Sequence, residues 1–284
     1  MKLLKLLIVI TLLSSCNAGC NKNDSDSVPP TDDDTTIQQD VVIKVMSYNI
    51  HRGVPPKSKS GDVDLTKVAD VIKAHDPDLV GLNEVDKFTR RSGVSLNMAK
   101  KLGELTGMYY YFAKAMDYDG GEYGDAVLSK FPIIDSTRYA LPPNNVNGIE
   151  PRDIAMITVK VGDQKILFAS THLDHTGDEQ YRILQANAIV NDILPNLKYP
   201  LIMAGDWNAT PKSEPISILT ETLTPGCYGD GCPLTFPYDF PSRTLDYVMY
   251  MPKHKFVFLD YQSVSGITAS DHLPVVAKIR LNLD

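Results

Sequence analysis

The most restrictive feature of this sequence is a set of short apolar runs, rich in Val and Ile, that stop on residues able to do chemistry. KVMSYN, DLVGLNE, KILFASTH and LIMAGDWN end on Asn49, Glu84, His172 and the pair Asp206/Asn208. Two further segments, LDYVMY and SDHLPVVAKI, begin at Asp246 and at Asp271/His272. Runs of this length and composition read as buried strands. Strands running one way finish on the sheet edge where antiparallel strands begin, so one edge can gather carboxylates, amides and imidazoles. That assortment suits a hard divalent cation and a phosphate ester.

Strands are expected at 41–48, 78–84, in YYYFAKA, at 125–129 and 133–139, in a hairpin of 153–161 and 165–171 turned at Gly162-Asp163, and at 200–205, 244–250, 256–264 and 274–281. DYDGGEYG reads as a turn. Helices are expected at 64–75, where Leu65, Val68, Val71 and Ile72 share a face, and at 95–106, 178–194 and 214–220. Helices punctuate the strands without strict alternation, a pattern that suits two packed sheets with helices outside.

Residues 1–15, MKLLKLLIVITLLSS, have a charged start and an apolar core too short to span a bilayer, the form of an export signal. Leu-Ser-Ser-Cys resembles a bacterial lipobox, so cleavage before Cys16 and lipidation of its thiol are expected. Residues 16–40 are Asp-rich, with nothing to build a core, and read as a solvated tether. The catalytic part is then 41–284, exported and lipid-anchored to a bacterial membrane, with no sign that it is other than a monomer. The formal net charge of −7 disfavours a nonspecific nucleic-acid binder. Lys57, Lys59, Arg90, Arg91, Lys100 and Lys101 read as scattered surface charge. Cys227 and Cys232, in GCYGDGCP, read as a loop-stapling disulfide, since an exported chain sits in an oxidising compartment.

Glu84, at the end of a buried run, is the best candidate metal ligand. Asp206 and Asn208, two apart, would project to one side if the chain stays extended; Asp206 could take a proton from water and Asn208 donate to a phosphoryl oxygen. Gly-Asp and Asn are also turn formers, so a plain turn is the alternative. His172 and His272 lie beside acids, and an Asp against an imidazole favours His⁺, which suits phosphate. His51, His75 and His254 read as surface or loop residues. His175 is ambiguous, because THLDH could hold zinc.

The ordered set SYNIHRG, VGLNEVD, YGDAVLSKFPI, EPRDIA, STHLDH, AGDWNATP, TLDYV and SDHLPV resembles the magnesium-dependent endonuclease/exonuclease/phosphatase superfamily over about residues 41–282. The resemblance implies an α/β fold, a four-layer α/β/β/α sandwich of two packed mixed sheets like that of deoxyribonuclease I. It implies Mg²⁺ (or Mn²⁺) on Glu84, helped by Asn49 and Asp271. It implies Asp206 on the attacking water, Asn208 on the transition-state phosphoryl group, His272 paired with Asp246 against phosphate, and His172 on the developing charge or leaving group. Arg152, in EPR, would contact phosphate; a surface salt bridge is its plain alternative. Asp125 stands where close relatives often have Asn, and a second cation or a histidine partner are both open for it.

The function expected is a Mg-dependent phosphoesterase acting on phospholipid or glycolipid head groups or on small phosphate esters. The rivals are an extracellular nuclease on DNA or RNA, a non-catalytic binding module, and a zinc hydrolase built on THLDH. The anchor is tested by Cys16→Ser, which is expected to release the chain from the membrane fraction; continued need for detergent would overturn it.

Overall fold

The computed structural model describes residues 41–143 and 148–283. The expected export signal at 1–15, the tether at 16–40 and Cys16 lie outside these residues. Twelve strands form two six-stranded sheets among them. The first contains β1 (Val41–Asn49), β2 (Leu79–Lys87), β3 (Tyr109–Tyr118), β4 (Gly121–Ser129), β11 (Phe256–Ser263) and β12 (Val275–Leu281) in the order β11-β12-β1-β2-β4-β3. The second contains β5 (Ile133–Leu141), β6 (Arg152–Val161), β7 (Gln164–His172), β8 (Leu201–Asp206), β9 (Thr224–Pro225) and β10 (Asp246–Met251) in the order β5-β6-β7-β8-β10-β9.

Alternation along the strands sorts the side chains into three apolar layers. Ile43, Val45, Ile157, Phe168, Ile202 and Val248 meet between the sheets. On the outer face of the first sheet, Met46, Val80 and Leu128 pack against α1 (Leu65–His75) and α2 (Met98–Thr106) through Val68, Ile72 and Leu102. On the outer face of the second, Met203, Met249 and Trp207 pack against α3 (Gln180–Ala188) and α4 (Glu214–Thr220). The result is the expected α/β/β/α sandwich.

Asp64 caps α1 by accepting the Lys67 N–H, which fixes its predicted start. DYDGGEYG is a tight hairpin rather than a longer turn: β3 continues to Tyr118, β4 starts at Gly121, and Asp119 and Gly120 both have positive φ. The helix expected over 178–194 is regular only to Ala188; a wide turn follows at Ile189–Ile193 and a tight one at Leu194–Asn196, where Pro195 has no N–H to continue the ladder. Cys227 and Cys232 are bridged, with Cα atoms 4.9 Å apart.

Each sheet holds one parallel pair, β1/β2 and β7/β8, at its centre. Their C-terminal ends share one edge, where β10 begins antiparallel with Asp246 opposite Asp206. The sheets approach closely there. A Cβ on Gly81 would lie 2.8 Å from that of Ala204 and 3.1 Å from Ser170 Oγ. Between them sits Asn83, fully buried, whose amide donates to Asp125 Oδ1 (2.9 Å), Ser170 Oγ (3.3 Å) and Thr171 O (2.7 Å). Its Oδ1 accepts the Asp206 N–H at 3.0 Å, tying the end of β2 to the end of β8. Asn83→Ala leaves several of these groups unpaired in a dry interior. It is expected to cost about 2–4 kcal/mol in urea unfolding; a loss below about 0.5 kcal/mol would refute the clamp.

Candidate active site

The polar strand ends surround a cleft of about 440 Å³. Glu84, Asp206, Asn208, Asp271, His172 and His272 all line it, together with Arg152. Asn49 and Asp246 are buried just behind.

Glu84 reaches the cleft through a backbone irregularity. Pairing of β2 with β4 slips between Leu82 and Val85, so Asn83 turns toward the other sheet while Glu84, at φ 58°, is redirected to the sheet end. Burial raises its pKa, and the nearby Asp271 carboxylate adds to that, opposed by the Asn49 amide. Asn49 Nδ2 donates to Glu84 Oε1 (3.1 Å) and Asp206 Oδ2 (3.0 Å), while its Oδ1 accepts the His51 N–H (3.0 Å). The amide is therefore oriented as a donor to two carboxylates, and its oxygen is already used. Glu84 and Asp271, two oxygen donors facing one cleft without a Lys or Arg partner among the described residues, fit a hard divalent cation.

Asp206 and Asn208 do reach one cleft, but by a turn rather than by extended chain. Asp206 Oδ1 accepts the Asn208 N–H at 2.9 Å, Asn208 has φ 46°, and Trp207 between them is buried on the helix side of the sheet. Burial raises the Asp206 carboxyl to about 6, with His272 opposing and Asp246 adding to the rise.

The two histidines differ. His272 Nδ1 lies 2.9 Å from Asp246 Oδ2, its ring packs on Phe236, and its Nε2 is 3.6 Å from Asp206 Oδ2. Burial opposes its charge, but Asp246 and Asp206 outweigh burial and push the imidazole up to about 10. It is an imidazolium at neutral pH. Asp206, Asp246 and His272 are close enough to hold a cation, yet the imidazolium already pairs with Asp246 and offsets part of that charge. His172 has the expected acid, Asp206 Oδ2 at 3.5 Å from Nε2, but an arginine at its other nitrogen. Arg152 Nη1 lies 3.0 Å from its Nδ1, and burial, with Arg152 next, holds its pKa well below the ordinary value. A guanidinium can only donate, so Nδ1 is bare and the proton of the neutral ring sits on Nε2. That Nε2 is 2.9 Å from Asn208 Nδ2, which also donates to Leu173 O. Two donors thus converge, and Asp206 Oδ2, 3.5 Å from His172 Nε2, is too far to satisfy them well.

Arg152 is 3 % exposed, so it is no surface residue; Glu150 Oε2 lies 3.0 Å from its Nη2, and its buried Nε has no partner among the described residues. His175 touches Arg152 at 3.0 Å and leaves no zinc-like His/His/Asp grouping. His51, read from sequence as a loop residue, lines the cleft, with Nδ1 2.9 Å from Val54 O and 4.0 Å from Asp271. Arg91, read as surface charge, forms another wall. Its Nε and Nη2 each contact Asp86 at 2.8 Å, and its guanidinium lies 4.2 Å from the Tyr118 ring centroid. The signal for Arg91 was Asp86, a charge fully buried within an apolar strand and therefore in need of a cation.

Comparison with known proteins agrees with this architecture. Residues 46–272 match the model of the Endonuclease/Exonuclease/phosphatase family. The uncharacterised protein YbhP of Escherichia coli (strain K12) is 25% identical over 267 residues, covering 86% of this chain and 98% of that protein. Among solved structures, an endonuclease/exonuclease/phosphatase family protein of Bacteroides thetaiotaomicron superposes with TM-score 0.70 at 20% identity, covering 86% of this chain and all of that one. A mannosyl-6-phosphatase of the same species superposes with TM-score 0.68 at 21% identity, covering 84% and 99%. At these identities the structural likeness shows the fold alone.

Asp125 contacts neither a histidine nor the cleft. It is buried against Asp153, and burial, followed by the Asp153 charge, raises its pKa well above the ordinary value. Asp153 is itself raised, by burial, to about 6 despite Arg138 at 3.2 Å. With Asp125 raised by burial and by the Asp153 charge, the pair keeps a proton where free carboxyls have lost theirs. Their pKa values in the fold exceed the unfolded value near 4. The stability this proton supplies is therefore complete below pH 4 and is lost as pH rises through about 6 and above. Asp125→Asn supplies a permanent N–H while keeping an oxygen for Asn83. Its melting temperature is expected to exceed wild type by a margin that grows from pH 5 to pH 8, reaching a few degrees. A margin independent of pH would refute the retained proton.

Proposed function

This chain belongs to the endonuclease/exonuclease/phosphatase family, and on that premise we propose that it is a metal-dependent phosphoesterase that hydrolyses P–O bonds. The observation that carries the reading is the convergence of His172 Nε2–H and Asn208 Nδ2, 2.9 Å apart, which Asp206 Oδ2 at 3.5 Å from Nε2 leaves without a close acceptor. A phosphoryl oxygen supplies that acceptor. The imidazolium of His272 and the guanidinium of Arg152, both buried at the same cleft, favour an anion there.

Glu84 and Asp271 would hold Mg²⁺ or Mn²⁺, which, when bound, offsets charge on the phosphoryl oxygens as a Lewis acid. The protein's own groups account for the rest. Asp206, its basicity raised by burial, takes a proton from the attacking water and is held in place by Asn49 Nδ2 and the Asn208 N–H. His272, fixed by Asp246, presents Nε2–H to the phosphoryl group. His172 and Asn208 donate to the charge that builds in the transition state, and a neutral ring does so without transferring a proton. The role of His172 is thus charge stabilisation rather than leaving-group protonation.

A cleft of about 440 Å³ fits a small phosphate ester or a lipid head group. A net charge of −7 disfavours polynucleotides. The test is hydrolysis by the full chain, with Mg²⁺ or with EDTA, of a chromogenic phosphomonoester and phosphodiester, sugar and inositol phosphates, sphingomyelin, plasmid DNA and RNA. Turnover is expected with Mg²⁺ and not with EDTA. Asp206→Asn and His172→Ala are each expected to lower kcat about 10²–10⁴-fold without lowering the melting temperature. Wild-type rates in either variant would sink the assignment. Glu84→Gln is expected to raise the Mg²⁺ concentration needed for half-maximal rate, and an unchanged requirement would remove Glu84 as a ligand.

A further inference from the structure

Three guanidinium groups line the cleft, and they differ in what neutralises them. Arg91 is held by Asp86 and Arg152 by Glu150. Arg52, half-buried, has no ion pair or hydrogen bond from its side chain among the described residues. It stands on a turn, His51–Gly53, that no ordinary L-residue favours: His51, Arg52 and Gly53 have φ of 46°, 55° and 66°. Among the described residues seven non-glycine positions have positive φ, and four of them, His51, Arg52, Glu84 and Asn208, line this cleft. Strain of this kind persists where surrounding contacts enforce it. Here Gly53 N–H donates to Ile50 O, Val54 N–H to His51 O and His51 N–H to Asn49 Oδ1, so the turn is locked to the strand that carries Asn49.

A half-buried guanidinium on a locked turn, facing the cleft and paired with none of its carboxylates, is a site for an anion. The scissile phosphate is already supplied with donors by Asn208, His172, His272 and Arg152. All of these come from other elements. Resting on the phosphoesterase reading above, we propose that Arg52 binds a second anionic group on the substrate, so that the preferred substrate is a small phosphate ester whose ester group itself carries a phosphate or carboxylate. The cleft has room for such a group beyond the phosphate.

The test is calorimetric binding to the full chain in Mg²⁺, using orthophosphate, methylenediphosphonate and 1,3-propylenediphosphonate, none of which is hydrolysed. Wild type is expected to bind at least one bisphosphonate about 10-fold more tightly than orthophosphate, a preference of the size a charge-assisted hydrogen bond gives. Arg52→Gln is expected to remove most of that preference and leave orthophosphate affinity and melting temperature unchanged. Arg52→Lys is expected to restore part of it. No preference in wild type, or a preference that survives Arg52→Gln, overturns the proposal. A single-stranded oligonucleotide that displaces orthophosphate in an Arg52-dependent way, with no bisphosphonate preference, overturns the small-substrate assignment. Asn208→Ala separates the two readings. It is expected to weaken orthophosphate and bisphosphonates alike. Unaltered orthophosphate binding in that variant defeats the phosphate site itself, whatever Arg52 does.

Discussion

One side-chain amide holds the catalytic edge together. Asn83 lies where the two sheets come closest, and its donors and its acceptor each end on the opposite sheet or on the next strand. The Asp206 N–H it accepts belongs to the residue proposed as base. The residue after Asn83 is Glu84, the leading metal-ligand candidate. The spacing between Glu84 and Asp206 is therefore set by a buried hydrogen bond rather than by two independent strand ends. Small residues at Gly81 and Ala204 make the approach possible, because a larger side chain there would push the sheets apart.

Around this clamp the charges are arranged in compensated sets, and the uncompensated ones face the cleft. Asp86 neutralises Arg91, Asp246 neutralises His272, Glu150 neutralises Arg152, and burial keeps a proton on the Asp125/Asp153 pair. What remains toward the cleft is an acidic pair, Glu84 and Asp271, beside one guanidinium, Arg52, without an ion pair among the described residues. Buried polar groups are costly unless paired, so this unpaired remainder is where a ligand does most to lower the free energy.

The sheets, the helices and the shared edge were legible because burial imposes periodicity, and the apolar runs broke off at residues with no packing use. The helix over 178–194 read too long, since hydrophobic spacing alone does not register the wide turn before Pro195. The reading of Asp206 and Asn208 found the right residues through the wrong backbone: an Asx turn with positive φ at Asn208 does what an extended strand was expected to do. His51, Arg91 and Asn83 were overlooked for a common reason. Each acts through a partner distant in sequence, Asp271 for His51 and Thr171 for Asn83, or through a buried acid whose need for a cation appears only once its burial is known. The charge state of His172 was likewise out of reach, because Arg152 lies on a different strand.

The pairing of β1 with β12 runs from Val41 opposite Leu281 to Ser47 opposite Val275. These strands are antiparallel neighbours, so residues 41 and 281 lie side by side at the end of the sheet remote from the cleft. A pulling force applied at those two points would load the ladder as a zipper, opening one hydrogen-bonded pair at a time. Asn49 and the Asp271–His272 segment lie beyond the last pair to open. That ladder opens first at its far end, and the end beside Asn49 and Asp271 is the last part of it to feel the load.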